Sequence, residues 1–265
     1  MNDAARRQTG MIDMESNTTL VQCYPAHEAV PAGQGPFPPV IVVHDRFGLN
    51  AHVKGIANRL ANAGFYALAP AFYAMPTSVA DVAPDFMRPA GPVHFDYGDE
   101  TSADEQAGLL SDERAETILQ QAIDYTAFRS ASRAGPCGVL GFSMGARLAF
   151  LAACRNPADV SACVGFYGRG IASPTATQRG GPLPIDLAPD LSASVLFFYG
   201  QLDTTISRTE RALVRQRLAA LGKDFRIEVF PDAGEEFFCE ERDTHRIHAS
   251  KVAWEETLAL FSRCL

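Results

Sequence analysis

Cys137-Gly138-Val139-Leu140-Gly141-Phe142-Ser143-Met144-Gly145-Ala146 is the stretch on which the fold turns. An apolar run ends in G-x-S-x-G and passes at once into a helical pattern over Met144–Cys154. A strand that meets a helix in this way does so through a sharp, strained turn, which lifts the serine hydroxyl above the sheet edge. The turn is tight, so small residues must stand two positions to either side of the serine. The helix behind it offers backbone N–H groups to a developing oxyanion. Ser143 is therefore a candidate nucleophile, and the run before it must be a strand buried within a sheet.

Outward from this junction, apolar runs alternate with helical patterns. The runs Val40–Val43, Tyr66–Ala69, Gly138–Gly141, Ala162–Phe166, Val195–Tyr199 and Arg226–Phe230 read as strands. Their near-continuous apolar character suits strands covered on both faces. Helical patterns fill the intervals at His52–Ala63, Asp112–Phe128, Met144–Cys154, Ser207–Leu221 and about His248–Arg263. This alternation predicts an α/β fold, a doubly wound and mostly parallel twisted sheet with helices on both faces. Two stretches rich in glycine and proline, 75–110 and 168–190, read as irregular. The first carries Phe86, Phe95 and Tyr97 and is expected to act as a lid.

The bulk properties exclude several roles. With 47% hydrophobic and 20% charged residues, a chain of 265 residues can bury a sizeable core. The formal charge is -8 and the basic residues are scattered, which argues against nucleic acid or an anionic membrane as a partner. Residues 1–18 read as a disordered lead-in with no secretory signal, ahead of a single domain over 19–265. No apolar run approaches the ~20 residues that span a bilayer. The six cysteines show neither a CxxC pair nor metal-ligand spacing. Buried free thiols and a cytoplasmic location are expected, with no metal and no cofactor.

Motifs along the chain, in order, give a resemblance. Val40-Ile41-Val42-Val43-His44-Asp45-Arg46-Phe47-Gly48-Leu49-Asn50 resembles a strand ending in "HE-x-FGLN". Ala69-Pro70-Ala71-Phe72-Tyr73 is similar to "APDLY", and Gly141 to Ala146 to "GFCMGG". Gly165-Phe166-Tyr167-Gly168 matches "GFYG", and Gly200-Gln201-Leu202-Asp203 resembles "GExD". Pro231, Gly234, Phe237, Arg242 and Trp254 keep the register of a closing segment. These are the motifs of the dienelactone hydrolase family, and the resemblance runs from residue 40 onward. It implies an α/β-hydrolase fold, a small-molecule substrate, and a triad of nucleophile, acid and histidine.

The resemblance also locates the departures. Ser143 fills the nucleophile position and Asp203 the acid position. Where the family places its histidine, in "GAGHGF", this chain reads Asp232-Ala233-Gly234-Glu235-Glu236-Phe237, so Glu235 stands at the base. The acid after His44 is Asp45 in place of Glu. The backbone N–H groups of Arg46 and Met144 correspond to the oxyanion hole. Met75 and Cys239 stand where arginines would clamp a substrate carboxylate, which leaves the Arg46 side chain as the candidate anion partner. Of the other histidines, His44 reads as structural, while His94 lies in the lid and could swing toward Ser143. His245 and His248 fall near the start of the last helix, and His27 and His52 carry no catalytic argument.

Serine needs a neighbour to take its proton more than cysteine does. Glutamate is a weaker base than histidine by about 2 pKa units. Three functions follow. The first is hydrolysis of a small lactone, ester or related carbonyl compound through Ser143, Asp203 and Glu235. The second is non-hydrolytic acid–base chemistry by the Glu235–Asp203 pair, as in a cyclase, isomerase, dehydratase or C–C lyase. The third is small-molecule binding without turnover, in which Glu235, Glu236, Glu240 and Glu241 form only an acidic surface loop. A homodimer is compatible with all three.

Overall fold

The computed structural model describes residues 18–21, 24–74, 94–174 and 182–265. Among these residues, eight strands form one sheet: β1 (Thr18–Val21), β2 (Tyr24–Ala29), β3 (Pro39–Val43), β4 (Tyr66–Pro70), β5 (Cys137–Phe142), β6 (Val160–Phe166), β7 (Ser194–Gly200) and β8 (Phe225–Phe230). Their order across the sheet is β1-β2-β4-β3-β5-β6-β7-β8. The first two pairings are antiparallel and all the others parallel. Every residue of β3, β4 and β5 is buried, as expected of strands with helices on both faces.

Among the described residues, six α-helices accompany the sheet: α1 (Ala51–Asn62), α2 (Glu100–Leu109), α3 (Asp112–Phe128), α4 (Met144–Arg155), α5 (Arg208–Ala220) and α6 (Ile247–Cys264). The α4 helix, which carries the elbow, is buried from Gly145 to Cys154. That burial includes Arg147, whose charge must be met inside. Its guanidinium grips both oxygens of Asp112 at 2.6 Å and donates from Nε to Gly170 O at 3.2 Å. Removing one partner from such a buried pair costs about 3–5 kcal/mol. The ion pair therefore fixes α4, and with it Ser143, against the start of α3.

All six expected strands and all five expected helices are present within two residues of their expected ends. Four of the described elements were not foreseen. β1 and β2 are short, and β2 contains Pro25, so neither offers a sustained apolar run. The helix α2 lies inside the stretch 75–110 that reads as irregular, which corrects that expectation for its last part. Asp99 caps α2 by accepting from Ser102 N, and only Ala103 and Ala107 are buried, so no apolar stripe marks it. The stretch 168–190 likewise ends in a 3-10 helix, Pro184–Asp190.

Residues 1–17 of the expected lead-in, residues 75–93 of the expected lid, and Cys23 lie outside the described residues. Thr18 already belongs to β1. The other five cysteines are free thiols, four of them buried. Among the described residues, no helix is long and apolar enough to cross a membrane.

Candidate active site

The elbow is a backbone constraint before it is a chemical one. Ser143 adopts φ 50 and ψ -114, a conformation that costs a non-glycine residue about 1–3 kcal/mol. Its N–H donates to Phe166 O at 2.9 Å, which holds the turn on the adjacent strand. A Cβ on Gly141 would lie 2.1 Å from Gly145 O. One on Gly145 would lie 2.3 Å from Val43 O and 2.4 Å from His44 O. Both glycines are thus required by contact. The second shows that the elbow rests on the end of β3, so the Asp45–Arg46 turn adjoins Ser143. Met144 opens α4, and its N–H belongs to the first-turn donors that have no intrahelical acceptor. The Arg46 N–H also has no acceptor among the described residues. Both positions expected for the oxyanion hole are therefore donors in waiting.

The turn after β3 is held rigidly. His44 Nε2 accepts from Phe72 N at 3.2 Å, so Nδ1 carries the proton and donates to Asp45 O at 2.6 Å. Burial pushes the imidazole pKa down to about 4. His44 is a neutral structural ring. Asp45 Oδ1 accepts from Phe47 N at 2.8 Å. Burial lifts the Asp45 pKa to about 7, against the pull of that hydrogen bond, and neighbouring Glu236 adds to the rise. Tyr73 Oη donates to Arg46 O at 2.8 Å and closes the turn from the β4 side.

The loops after β7 and β8 are joined through their backbones. Gln201 N donates to Phe230 O at 2.8 Å and Leu202 N to Ala233 O at 2.9 Å. A Cβ on Gly200 would fall 2.4 Å from both Ala233 O and Gly234 O. This contact sets Asp203 beside Glu235. Asp203 Oδ1 receives Thr205 N and Thr205 Oγ1, each at 2.7 Å, and Ile206 N at 3.2 Å, while Oδ2 is buried with no partner. Glu235 is half-buried. Burial raises its pKa to about 7, helped by the charges of Asp203 and Glu236 and opposed by Arg46 and a hydrogen bond with Thr205. One threonine hydroxyl therefore stands between the two carboxyl groups.

Glu236 does not fit an acidic surface loop. It is buried, 7% exposed, and its backbone sits at φ 59. Arg242 Nε meets its Oε2 at 2.6 Å, and Arg46 Nη2 lies 4.0 Å from its Oε1. The same arginines reach α2. Arg46 approaches Glu100 at 3.4 Å and Asp104 at 3.5 Å, and Arg242 meets Glu100 at 3.0 Å. The Arg46 side chain, expected as a free anion partner, is already surrounded by three carboxylates. Cys239 is buried, and its thiol donates to Tyr97 Oη at 3.2 Å, which also accepts from Asn50 Nδ2. Met75 lies outside the described residues.

Sequence reasoning missed Thr205 and the roles of Tyr97, Glu236 and Arg242. For Arg242, its register in the closing segment was the available signal. The side chain of His94 is exposed, and its backbone bridges Gly48. His248 is exposed and His245 partly so. His27 bonds Asn58 at 2.9 Å. His52 packs edge-on to Phe142 with Nε2 buried and unpartnered, and burial lowers its pKa to about 4. Among the described residues, no His, Cys, Asp and Glu cluster could hold a metal ion.

Comparison with known proteins agrees with this geometry. A family model described as "Dienelactone hydrolase family" matches residues 25–265. A protein of Methylorubrum extorquens assigned as a carboxymethylenebutenolidase is 30% identical over 231 residues, 87% of this chain and 74% of that protein. A similarly assigned protein of Yersinia pestis is 30% identical over 243 residues, 90% of this chain and 83% of that one. Among solved structures, a protein of Klebsiella pneumoniae described as a dienelactone hydrolase superposes with a TM-score of 0.77. It is 27% identical, and the match covers 93% of this chain and 97% of that one.

Proposed function

Because the chain belongs to the dienelactone hydrolase family, and is thereby an enzyme of the hydrolase class on an α/β-hydrolase fold, we propose that it hydrolyses a small lactone or ester through Ser143, with Glu235 and Asp203 managing the proton. The elbow carries this reading: Ser143 keeps the strained φ of 50 and a partly exposed side chain. Strain of this kind persists where the surrounding structure enforces it, and it clusters at active sites. Relatives assigned as carboxymethylenebutenolidases make an unsaturated lactone the natural substrate class.

In this mechanism Ser143 Oγ attacks the carbonyl carbon, and the N–H groups of Met144 and Arg46 receive the oxyanion. The serine proton passes to Glu235. That carboxyl returns it to the leaving alkoxide as the C–O bond breaks. Water then attacks the acyl-serine and gives a proton to Glu235, which passes it to Ser143 Oγ as the acyl C–Oγ bond breaks, so that the free acid leaves and Ser143 is regenerated. A carboxyl with a pKa of about 7 is present in both forms at neutrality, which suits it to accept and return one proton. Asp203 maintains that basicity by its charge.

One observation favours a second reading. Ser143 Oγ has no hydrogen-bond partner among the described residues, whereas Glu235 is engaged with Thr205. The carboxyl pair would then move a proton on the substrate itself, as an isomerase, dehydratase, cyclase or C–C lyase does, with Ser143 as a hydrogen-bond donor. Intact-mass spectrometry after fluorophosphonate treatment, combined with lactone and p-nitrophenyl ester assays, separates the readings. Labelling and hydrolysis that both vanish in Ser143→Ala support the serine mechanism. Turnover of a carbonyl substrate that survives Ser143→Ala and is lost in Glu235→Gln supports the second. Binding of lactone without labelling or turnover would leave a binding protein.

A further inference from the structure

Away from the serine, α5 lies over the edge strand β8 and leaves a groove of about 400 Å³. Its floor includes Ile227 and Val229, and its sides carry Arg208, Arg211, Arg215, Gln201 and Gln216. The arginines stand at i, i+3 and i+7 of one helix and so share a face. No carboxylate lines the groove. Among the described residues none of the three forms an ion pair, although other surface arginines such as Arg155, Arg226 and Arg263 do. In a chain of 31 acidic and 23 basic residues, a cationic face without a carboxylate is unusual.

The arginines are held in place by neutral acceptors. Arg211 is 8% exposed and donates from Nη1 to Gly200 O at 2.8 Å. Its neighbour Glu210 is turned away and accepts from Gly170 N at 2.8 Å and Ala172 N at 3.3 Å. With its amide oxygen facing the guanidinium, Gln201 accepts from Arg208 at 2.8 and 3.2 Å. Arg215 Nη2 donates to Ile227 O at 3.3 Å. Such acceptors fix geometry without cancelling charge, so the three guanidinium groups are ordered in the free protein.

The shape selects between ligand classes. β8 is an edge strand, and its outer edge would be the natural place for a peptide to add as a further strand. The carbonyls of Asp224 and Phe230 point toward β7, so by alternation that of Ile227 points outward. Arg215 already occupies that outward acceptor, which works against strand addition. Three guanidinium groups suit a dianion with three acceptor oxygens better than a single carboxylate. We propose that this groove binds a small organic phosphate, its anionic group on Arg208, Arg211 and Arg215 and its apolar body on Ile227 and Val229.

The test is calorimetric titration of phenyl phosphate into the full chain carrying Ser143→Ala, so that the serine cannot react. Saturable binding is expected, weaker at high salt and weaker still for inorganic phosphate, which lacks the apolar body. Adding Arg208→Gln and Arg215→Gln, both at exposed positions, should weaken it about tenfold or more with an unchanged melting temperature. Absence of binding at roughly 10 mM, far weaker than built phosphate sites achieve, would overturn the proposal. So would affinity unaffected by the double substitution, or equal affinity for inorganic and phenyl phosphate.

Discussion

Thr205 gives both its backbone N–H and its hydroxyl to one oxygen of Asp203, each at 2.7 Å, and so leaves the other oxygen buried and unpartnered. A hydroxyl has one proton to donate. It can point at Asp203 or turn to the ionised Glu235 carboxylate, whose pKa its hydrogen bond holds down. The two carboxyl groups are therefore coupled through a side chain as well as through charge.

Thr205→Val removes the hydroxyl at nearly constant shape. The hydrogen bond from Thr205 holds the Glu235 pKa down, so the pKa should rise beyond about 7 when it is lost. In a pH–rate profile, the limb that reports ionisation of Glu235 should move to higher pH. Stability should fall by about 1 kcal/mol in urea unfolding. An unmoved limb would separate Thr205 from the proton.

Glu235 also gives the protein a pH-dependent cost. Its pKa is about 7 in the folded chain against an ordinary 4.5, so between these values the folded state binds more protons than the unfolded one. Stability attributable to this residue thus declines as pH rises through that window, and the loss is complete above about pH 7. Glu235→Gln removes the charge and keeps the shape. It should stabilise the fold at pH 8 by about 1–2 kcal/mol, a value discounted for partial exposure, and have little effect near pH 4.5. Urea midpoints at the two pH values check this, and a stabilisation that does not depend on pH would contradict it.

Gly145 is the tightest point between the elbow and β3. A methyl group in Gly145→Ala would lie 2.3 Å from Val43 O, and backbone rather than a flexible side chain is in the way. Either α4 or the end of β3 must move, which displaces the Met144 and Arg46 N–H groups from each other. Ester hydrolysis should fall at least about 100-fold, as when an oxyanion donor is lost. The melting temperature should fall as well.

Buried Glu236 and partly buried Arg242 form an ion pair next to Glu235. Arg242→Ala leaves a carboxylate that is 7% exposed with only Arg46 nearby, at 4.0 Å. The single substitution should cost about 2–4 kcal/mol, and the double variant Arg242→Ala/Glu236→Gln should cost less than the sum of the two single ones. A double-mutant cycle by urea unfolding measures the coupling. Strict additivity would mean that the pair is not a unit.

The parts of the molecule legible in its sequence are those with a local rule behind them. Central strands such as β3 and β5 announce themselves because burial on both faces excludes polar residues. The elbow does so because its contacts admit only glycine at 141 and 145. The helix α2 and strands β1 and β2 were hidden because the edge strand β1 has only four residues, β2 is broken by Pro25 and carries His27 and Glu28, and a helix burying two alanines needs no apolar periodicity. Within the site, Asp203 and Glu235 could be placed by register. The partners of Arg46 could not, because they come from α2 and from Glu236, far apart in sequence and joined only by the fold. Glu236 also shows how adjacent acids part ways: a positive φ turns it inward to Arg242 while Glu240 and Glu241 stay at the surface.

The buried, unpartnered Oδ2 of Asp203 makes a further outcome specific. Glu235→His would bring an imidazole to a position beside an acceptor that has nothing to accept. If one ring nitrogen donates to Oδ2, the ring is fixed in orientation, its other nitrogen is free to act as a base, and the imidazolium formed during attack is stabilised. The carboxyl pair is lost at the same time, so the penalty from like charge disappears. Fluorophosphonate labelling of Ser143 should then become faster by about 100-fold or more, within the range that a positioned general base contributes. The pH dependence of labelling should also follow a histidine. Thr205 continues to hold Oδ1, so Glu235→His/Thr205→Val should lose much of that gain through a misaligned Asp203. Equal labelling rates for wild type and Glu235→His would mean that the glutamate already activates the serine as well as an imidazole can. Activation confined to the histidine variant would mean that the scaffold supports a triad which this chain has given up for carboxyl chemistry.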